Sequence, residues 1–119
     1  MKLSEVQGGK PVTDVVVRVM KVAPPRMIRT KTGRMTQLRE VLVADETGTL
    51  ILSLWGFGEG TALSAGKVIK IVDGWAKEWK GKVQLSLGRS GHYDEIPDDG
   101  SIPPVTELGL QHGSSGASD

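Results

Sequence analysis

Short apolar segments alternate with glycine, proline and charged residues along most of this chain, a pattern typical of a small all-β protein. Residues 10–22 are rich in β-branched side chains and are followed by two prolines, so they predict a long first strand. Residues 37–44 and 49–55 predict a second and a third strand. The four residues between them have turn chemistry, with Gly48 suited to a positive φ, so we expect a hairpin.

The remaining segments complete a five-strand pattern. Residues 24–35 are too polar for a core and predict a basic loop. The glycine-rich residues 56–66 predict a connection with one short helical turn at 61–64. Residues 68–73 and 82–87 predict strands four and five, joined by a hairpin tip that carries two tryptophans.

Five strands, with a long first strand and a break between the third and the fourth, match an all-β OB-fold, a five-stranded Greek-key barrel. An SH3-like barrel is the main alternative. OB barrels bind ligands on the face of strands two and three, flanked by the loops joining strands one to two and four to five. We expect this domain to cover residues 1–93, with residues 94–119 as an acidic, Gly/Ser-containing and largely disordered flexible C-terminal tail.

Length and composition narrow the class of protein further. A chain of 119 residues fits a single domain. The absence of cysteine excludes disulfides, thiolate zinc sites and cysteine nucleophiles. No apolar run has the length of a signal-peptide core or of a membrane span, so we expect no membrane association and a cytoplasmic location.

The net charge of +1 hides a strong asymmetry. All 15 Lys and Arg residues lie between Lys2 and Arg89, where only 8 of the 14 acidic residues occur. The other 6 acids follow Ser90, where there is no Lys or Arg. A basic body with an acidic tail is typical of a domain that binds a polyanion, although solubility alone is an alternative explanation.

Trp55 is the strongest single candidate for a binding residue. Alternation along the third strand puts Leu50, Leu52 and Leu54 on one face and Trp55 with Ser53 on the other. A large aromatic on a polar face is useful as a stacking platform for a nucleobase. The alternative is that Trp55 caps the end of the barrel core.

The predicted hairpin tip interleaves indole rings with positive charge, as single-stranded nucleic acid requires. Strand parity places Trp75 on the core face with Ile69 and Ile71, unless Gly74 marks a bulge that turns it outward. A short helix that packs both indoles is an alternative, but the flanking glycines leave too short a span. The candidate residues are Trp75, Lys77, Trp79, Lys80 and Lys82, followed by Gln84 on the polar face of strand five.

The predicted basic loop contributes candidate phosphate contacts, each adding roughly 0.7 to the salt slope for single strands. No acidic residue occurs between the first and the last of them. These residues are Arg26, Arg29, Lys31, Arg34 and Arg39.

Catalysis has little support in the sequence. The only histidines are His92 and His112, and no catalytic triad, metal-spaced cluster or phosphate-binding glycine loop occurs. We therefore predict neither catalytic residues, nor a metal, nor a cofactor.

The segment from Val43 to Trp55, VADETGTLILSLW, resembles the hairpin motif of the simple, single-OB-fold single-stranded DNA-binding proteins of archaea, which have relatives in animals. GKVIKI at residues 66–71 and RTKTG at residues 29–33 are also similar to that family. The resemblance implies that three aromatics stack bases, at Trp55, Trp75 and Trp79. It also implies a flexible C-terminal extension that recruits partners, although the tail of this chain lacks the arginines common there.

The sequence thus predicts a non-catalytic, largely sequence-independent single-stranded DNA-binding protein acting in replication, recombination and repair. We expect a nucleoid-associated monomer that recruits unidentified repair or replication proteins through its tail. A single-stranded RNA-binding OB module and a protein-interaction OB domain remain alternatives.

Overall fold

Six β-strands form one sheet that closes into a barrel in the computed structural model. The structure describes residues 1–110, and at Trp79, Gly88, Arg89 and Ser90 it describes the backbone alone. The elements are a 3-10 helix (Leu3–Glu5), β1 (Pro11–Val22), β2 (Arg26–Arg29), β3 (Met35–Asp45), β4 (Gly48–Trp55), β5 (Val68–Trp79), β6 (Lys82–Ile96) and the one-turn helix α1 (Val105–Leu108). The strand order β1-β5-β6-β4-β3-β2 closes through pairing of β1 with β3. The predicted five-stranded barrel is confirmed, and β2 extends the sheet beside β3 outside the ring.

Alternating aliphatic side chains from all five barrel strands fill the core. Along β4, Leu52 and Leu54 are fully buried, as the alternation predicts, while Trp55 is exposed. On β6, Leu85 is buried and its neighbours two positions away pack against the core. The barrel interior therefore fixes the outward direction of every other residue on the strands that carry the candidate site.

The turn between β3 and β4 is organised by a buried carboxylate. Asp45 Oδ1 accepts hydrogen bonds from the backbone N–H groups of Thr47 at 2.7 Å and Gly48 at 3.2 Å. Asp45 Oδ2 accepts one from the Leu3 N–H at 2.9 Å, so the same side chain also fixes the N-terminal 3-10 helix. The predicted hairpin is confirmed, but the positive φ predicted at Gly48 is wrong, because the Asp45 side chain holds the turn without a left-handed residue.

The predicted basic loop contains a strand. β2 pairs antiparallel with the first residues of β3, from Arg26 opposite Leu38 to Arg29 opposite Met35. Its turn is closed by hydrogen bonds of Thr30 with Arg34 and Gly33. The sequence prediction missed β2 because a four-residue strand depends on its partner, and β3 begins two residues earlier than predicted.

Residues 56–66 form a series of turns without the predicted helical turn. Gly56, Gly58 and Gly60 all adopt positive φ values, between 80° and 119°. Left-handed residues at every second position prevent a right-handed helix over residues 56–60, and residues 61–64 continue as turn and irregular backbone. The connection instead consists of consecutive tight turns, closed by hydrogen bonds from the N–H groups of Glu59, Thr61 and Leu63 to the carbonyl oxygens three residues earlier.

β5 and β6 form one hairpin that is much longer than the two short strands predicted. Its tip consists of Lys80 and Gly81 alone, with φ values of 51° and 79°. Two successive positive φ values suit the tight turns that match the twist of antiparallel strands. The residues predicted as a hairpin tip are therefore held in register as strand, almost to the turn itself.

The chain beyond residue 93 packs against the barrel. β6 continues past the predicted domain boundary to Ile96, and Ile102 and Leu108 are buried in a second cluster with Ala44 of β3. Residues 97–110, which we call the C-terminal strap, thus differ from the free tail predicted there. Residues 111–119 of that tail lie outside the described residues. Within residues 1–110, no helix is both long and apolar enough to cross a bilayer.

Arg18 fastens the C-terminal strap. Its buried guanidinium forms a bidentate pair with Asp98, with both N···O distances 3.0 Å. It also donates to the backbone oxygens of Gly66, Ile102 and Pro103, each at 2.7 Å. The planar fork of arginine suits such multiple bonding, so this one side chain holds the strap and the β4–β5 connection together.

The attachment of the C-terminal strap is expected to depend on pH. Hydrogen bonds from Arg18, and then from the Gly100 N–H, hold the pKa of Asp98 below its ordinary value of 3.8. A lowered folded-state pKa means that the pairing stabilises the fold above that ordinary value and is lost as pH falls through the folded-state pKa. Methyl NMR signals of Ile102 should therefore move toward unfolded positions on acidification before the barrel signals do. Asp98→Asn should show the loosened strap already at neutral pH. Ile102 signals that follow the barrel signals throughout would contradict this role.

Candidate nucleic-acid interface

A shallow groove of about 180 Å3 lies between the end of β4 and the β5–β6 hairpin. β4 pairs parallel with β6, and β6 pairs antiparallel with β5, so the outer faces of these three strands adjoin. The lining residues are Ser53, Trp55, Lys77, Glu78, Gln84, Leu85 and Ser86. Three residues predicted from the sequence, Trp55, Lys77 and Gln84, are thus brought together.

Trp55 forms one wall of the groove with half of its side chain exposed. It is 50% accessible, whereas its neighbour Leu54 is buried. The chain then turns away at Gly56, whose φ is 119° and whose N–H donates to the Gln37 carbonyl at 2.8 Å. An indole in this position has a face free for a planar ligand, which is the placement expected of a stacking platform.

A bulge turns Trp75 outward. The register between β5 and β6 shifts between Val72 and Gly74, and the extra residue, Asp73, has a φ of 54°. Ile71 before the bulge is fully buried, whereas Trp75 after it is 39% exposed. The structure thus contains the bulge near Gly74 that an outward-facing Trp75 requires.

Close approach of neighbouring atoms favours glycine at position 74 in that bulge. A Cβ atom there would lie 3.2 Å from both the Ser86 carbonyl oxygen and the Ile71 Cγ2 atom. Trp75 is paired with Ser86, whose hydroxyl donates to the Trp75 carbonyl at 3.3 Å. Trp75 thus lies on the same face as Lys77, next to a residue that lines the groove.

The hairpin tip brings further predicted residues near this face. The backbone of Trp79 pairs with Lys82, and the turn residue Lys80 follows Trp79 directly. Both lysines are exposed. The side chain of Trp79 lies outside the described part of the structure, so its stacking role stays a prediction.

The predicted basic residues of the β2–β3 hairpin are divided between its two faces. Arg26 lies opposite Leu38, which in turn lies opposite Trp55, so Arg26 shares the groove face. Its guanidinium is 3.4 Å from the Glu40 carboxylate. Arg29 lies on the opposite face.

The other basic residues of this hairpin lie away from the groove. Lys31 and Arg34 are exposed in the turn. Arg39 pairs with Leu54 and donates to the carbonyl oxygens of Glu59 at 3.1 Å and Ala23 at 3.3 Å. Arg39 thus supports the connection after β4 from the face opposite Trp55.

The sequence prediction missed Glu78 and Phe57. Glu78 is among the residues that line the groove. Phe57 is 63% exposed, two residues after Trp55. Its position in a glycine-rich connection, where little apolar surface can be covered, was the available signal.

Comparison with known proteins identifies the class of this fold. No family model matches the chain. The Single-stranded DNA binding protein Ssb of Saccharolobus solfataricus is 40% identical over 87 residues, which are 73% of this chain. The chain spans 57% of the length of that relative.

Two solved structures share the architecture. A replication factor A related protein from Methanobacterium thermoautotrophicum has a TM-score of 0.67 and 28% identity, over 81% of this chain and 89% of that chain. The second OB-fold domain of replication protein A from Methanococcus maripaludis has a TM-score of 0.68 and 20% identity, over 81% and 93% of the two chains. This chain is an OB-fold protein that resembles the simple single-stranded DNA-binding proteins.

The OB-fold accounts for the position of the groove. β3 and β4 are the second and third strands of the OB barrel, β2 lies in the connection between its first and second strands, and the β5–β6 tip joins its fourth and fifth. OB barrels bind their ligands on this face and between these two connections. The groove lined by Trp55 therefore lies where an OB-fold presents its binding surface.

Proposed function

We propose that this chain binds single-stranded DNA, without catalysis, in the groove between β4 and the β5–β6 hairpin. The observation that carries the proposal is the half-exposed Trp55, which forms a groove wall together with Lys77 and Gln84. An aromatic face beside a positive charge provides both base stacking and phosphate neutralisation. The curated relative in Saccharolobus solfataricus carries the same function in its name.

The groove residues divide into stacking and charged groups. Trp55 and Trp75 are proposed to stack successive bases, with Trp79 as a third platform at the hairpin tip. Lys77, Lys80, Lys82 and Arg26 are proposed to contact phosphates, Gln84 to bond a base or sugar in the groove, and Arg29, Lys31 and Arg34 to add charge along the β2–β3 hairpin. Because Arg39 is bonded to two carbonyl oxygens, we assign it a positioning role instead.

This division of roles implies that the protein binds single-stranded DNA in preference to duplex DNA. Stacking on the indole face is open to every base, so binding should be largely independent of sequence. Paired bases inside a duplex do not reach Trp55, and only the charged residues would then contribute. About 4–6 nucleotides per domain correspond to the low end of OB-fold site sizes.

The cellular role follows from this binding mode. We propose that the protein protects exposed strands, as a nucleoid-associated monomer, during replication, recombination and repair, with partner proteins recruited through the C-terminal residues. Single-stranded RNA is the second candidate ligand, because a stacking surface tolerates the 2′-hydroxyl.

Competition binding tests the proposed function. Fluorescence anisotropy of a labelled thymidine oligomer would be followed while unlabelled single-stranded DNA, duplex DNA or uridine oligomer of equal length is added. We expect the single strand of DNA to displace the label at a concentration at least tenfold below that needed for duplex. Stronger displacement by the uridine oligomer would favour the RNA-binding function. Equal, weak displacement by all three would contradict both and favour a protein-interaction role.

A further inference from the structure

Three large apolar side chains are exposed outside the groove, on and beside the β2–β3 hairpin. Met27 of β2, Met35 of β3 and Phe57, which follows β4, are 50%, 45% and 63% accessible. We call these three residues the Phe57 surface. Exposed apolar side chains that occur together mark a binding surface more often than scattered ones do.

Backbone pairing and one side-chain hydrogen bond place the Phe57 surface on a single face of the hairpin. Met27 pairs with Gln37, and Met35 is two residues before Gln37 on the same strand, so all three side chains share a face. The Oε1 atom of Gln37 accepts a hydrogen bond from the Gly58 N–H at 3.4 Å. The turn that carries Phe57 therefore lies against the face that carries both methionines.

The backbone of this turn is fixed in a conformation that leaves the Phe57 side chain exposed. The glycines on either side of it have φ values of 119° and 80°, which side chains rarely adopt. The Gly56 N–H donates to the Gln37 carbonyl at 2.8 Å, and Arg39 donates to the carbonyl of Glu59, two residues after Phe57. Both flanks of Phe57 are thus fixed from β3, while the ring itself remains in solvent.

The charged residues near the Phe57 surface indicate which class of ligand binds there. Arg29 lies on the same face as the methionines, and Lys31 and Arg34 are exposed in the adjoining turn. No acidic residue occurs between residues 26 and 39 of this hairpin. Glu59, in the turn that carries Phe57, is the acidic residue nearest to Phe57 in the sequence. Apolar side chains with several cations along the adjoining hairpin fit a ligand with flat apolar groups and regularly spaced negative charges, which is the chemistry of single-stranded nucleic acid.

The groove and the Phe57 surface adjoin each other. Trp55 and Phe57 are separated by Gly56 alone, so their Cα atoms lie within about 7 Å. Trp55 faces the groove, whereas Phe57 lies over the opposite face of the hairpin. A strand that leaves the groove past Trp55 would round the end of β4 at Gly56 to reach Phe57.

We infer that the Phe57 surface is a second subsite for the same strand. In this subsite one base stacks on Phe57 beside Met27 and Met35, and the adjoining phosphates lie near the cations of the β2–β3 hairpin. The inference rests on the proposed function, which it extends by adding nucleotides beyond those held at the groove tryptophans.

The length dependence of binding tests this subsite. Affinity of the wild type and of Phe57→Ala would be measured for thymidine oligomers from about 4 to about 12 nucleotides. Phe57→Ala should bind the longest oligomers roughly tenfold more weakly and the shortest within about twofold of wild type, because stacking is worth ~1–3 kcal/mol per base. Leu110→Ala, which removes another exposed large apolar side chain, is the matched control and should bind all lengths as wild type does.

Methionine methyl NMR gives an independent readout in the unaltered protein. The chain has four methionines, and Met20 packs in the cluster under the C-terminal strap. Addition of a long thymidine oligomer should shift the methyl signals of Met27 and Met35 and leave that of Met20 in place. Silent Met27 and Met35 signals, with Phe57→Ala binding every length as wild type does, would overturn the subsite and leave groove binding intact. A wild type that binds no single strand at any length would instead overturn the proposed function.

Discussion

Replacing Trp55 by alanine is expected to weaken binding to a thymidine oligomer by roughly 5- to 150-fold, since base stacking is worth ~1–3 kcal/mol per base. The loss should persist at moderate salt, because it removes a stacking surface rather than a charge. Fluorescence anisotropy with a labelled oligomer measures the affinity. The fold should remain intact, because half of the Trp55 side chain is already in solvent.

Two controls separate stacking from folding in this experiment. Trp55→Phe keeps an aromatic face and should recover part of the lost affinity. Thermal unfolding of Trp55→Ala should follow that of the wild type closely. A large fall in melting temperature would show that Trp55 stabilises the core, and an unchanged affinity would show that no base stacks on it.

Replacing Asp45 by alanine is expected to lower the free energy of unfolding by about 3 kcal/mol, because one buried donor that loses a charged partner costs ~1–3 kcal/mol. The Leu3 N–H is that buried donor, whereas the donors of the turn are part-buried and regain water. The N–H groups of Leu3, Thr47 and Gly48 and the Thr47 hydroxyl all donate to this buried carboxylate. For a domain of this size, such a loss corresponds to a melting temperature lower by roughly 10–20 °C. Differential scanning calorimetry measures it.

The matched control for Asp45 is its amide. Asp45→Asn retains one acceptor oxygen and should lose less stability than Asp45→Ala. Affinity for single-stranded DNA, measured on the folded protein, should be unchanged in both variants, because Asp45 precedes β4 whereas Trp55 ends it, about 23 Å away along the strand. Equal stability of Asp45→Ala and wild type would show that the turn does not depend on this carboxylate.

The barrel was predictable from the sequence because its strands bury one face. The alternation of Leu52, Ser53, Leu54 and Trp55 defines which side of β4 faces the core, and the same period places Leu85 inside β6. Such patterns are local, so they do not depend on knowing which strands pair. The outward direction of Trp55 follows from the same alternation.

Features that depend on distant partners were not predictable. β2 has only four residues and exists because the early part of β3 offers it a hydrogen-bonding edge. The long β5–β6 hairpin includes polar residues that no local pattern assigns to a strand, and pairing with each other extends both strands. Residues of low intrinsic strand preference become ordered in this way when a partner strand satisfies their backbone.

The C-terminal strap illustrates the same limit. Arg18 interrupts a run of valines in β1, and its buried position depends on Asp98 and backbone oxygens far away in the sequence. Val16 and Met20, on the same side of β1 as Arg18, also require a cover that Ile102 and Leu108 supply. Arg18, a charged residue within an apolar strand, was the sequence feature that indicated packing of the C-terminal strap on β1.

The candidate site was predictable in part. Trp55, Lys77 and Gln84 line one groove, as strand parity and the hairpin assignments suggested. The orientation of Trp75 depended on a bulge that parity alone did not determine, and the structure places that bulge at Asp73. Phe57 was missed because exposure in a turn depends on the hydrogen bonds that fix the turn.

Intrinsic tryptophan fluorescence during titration with a thymidine oligomer tests the central claim, base stacking in the groove, most directly. The titration would be run at two salt concentrations, with a duplex of equal length as comparison. Strong quenching by the single strand that survives moderate salt, with little quenching by the duplex, is the expected result. Absent quenching, or weak quenching by both ligands that salt removes, would contradict base stacking in the groove.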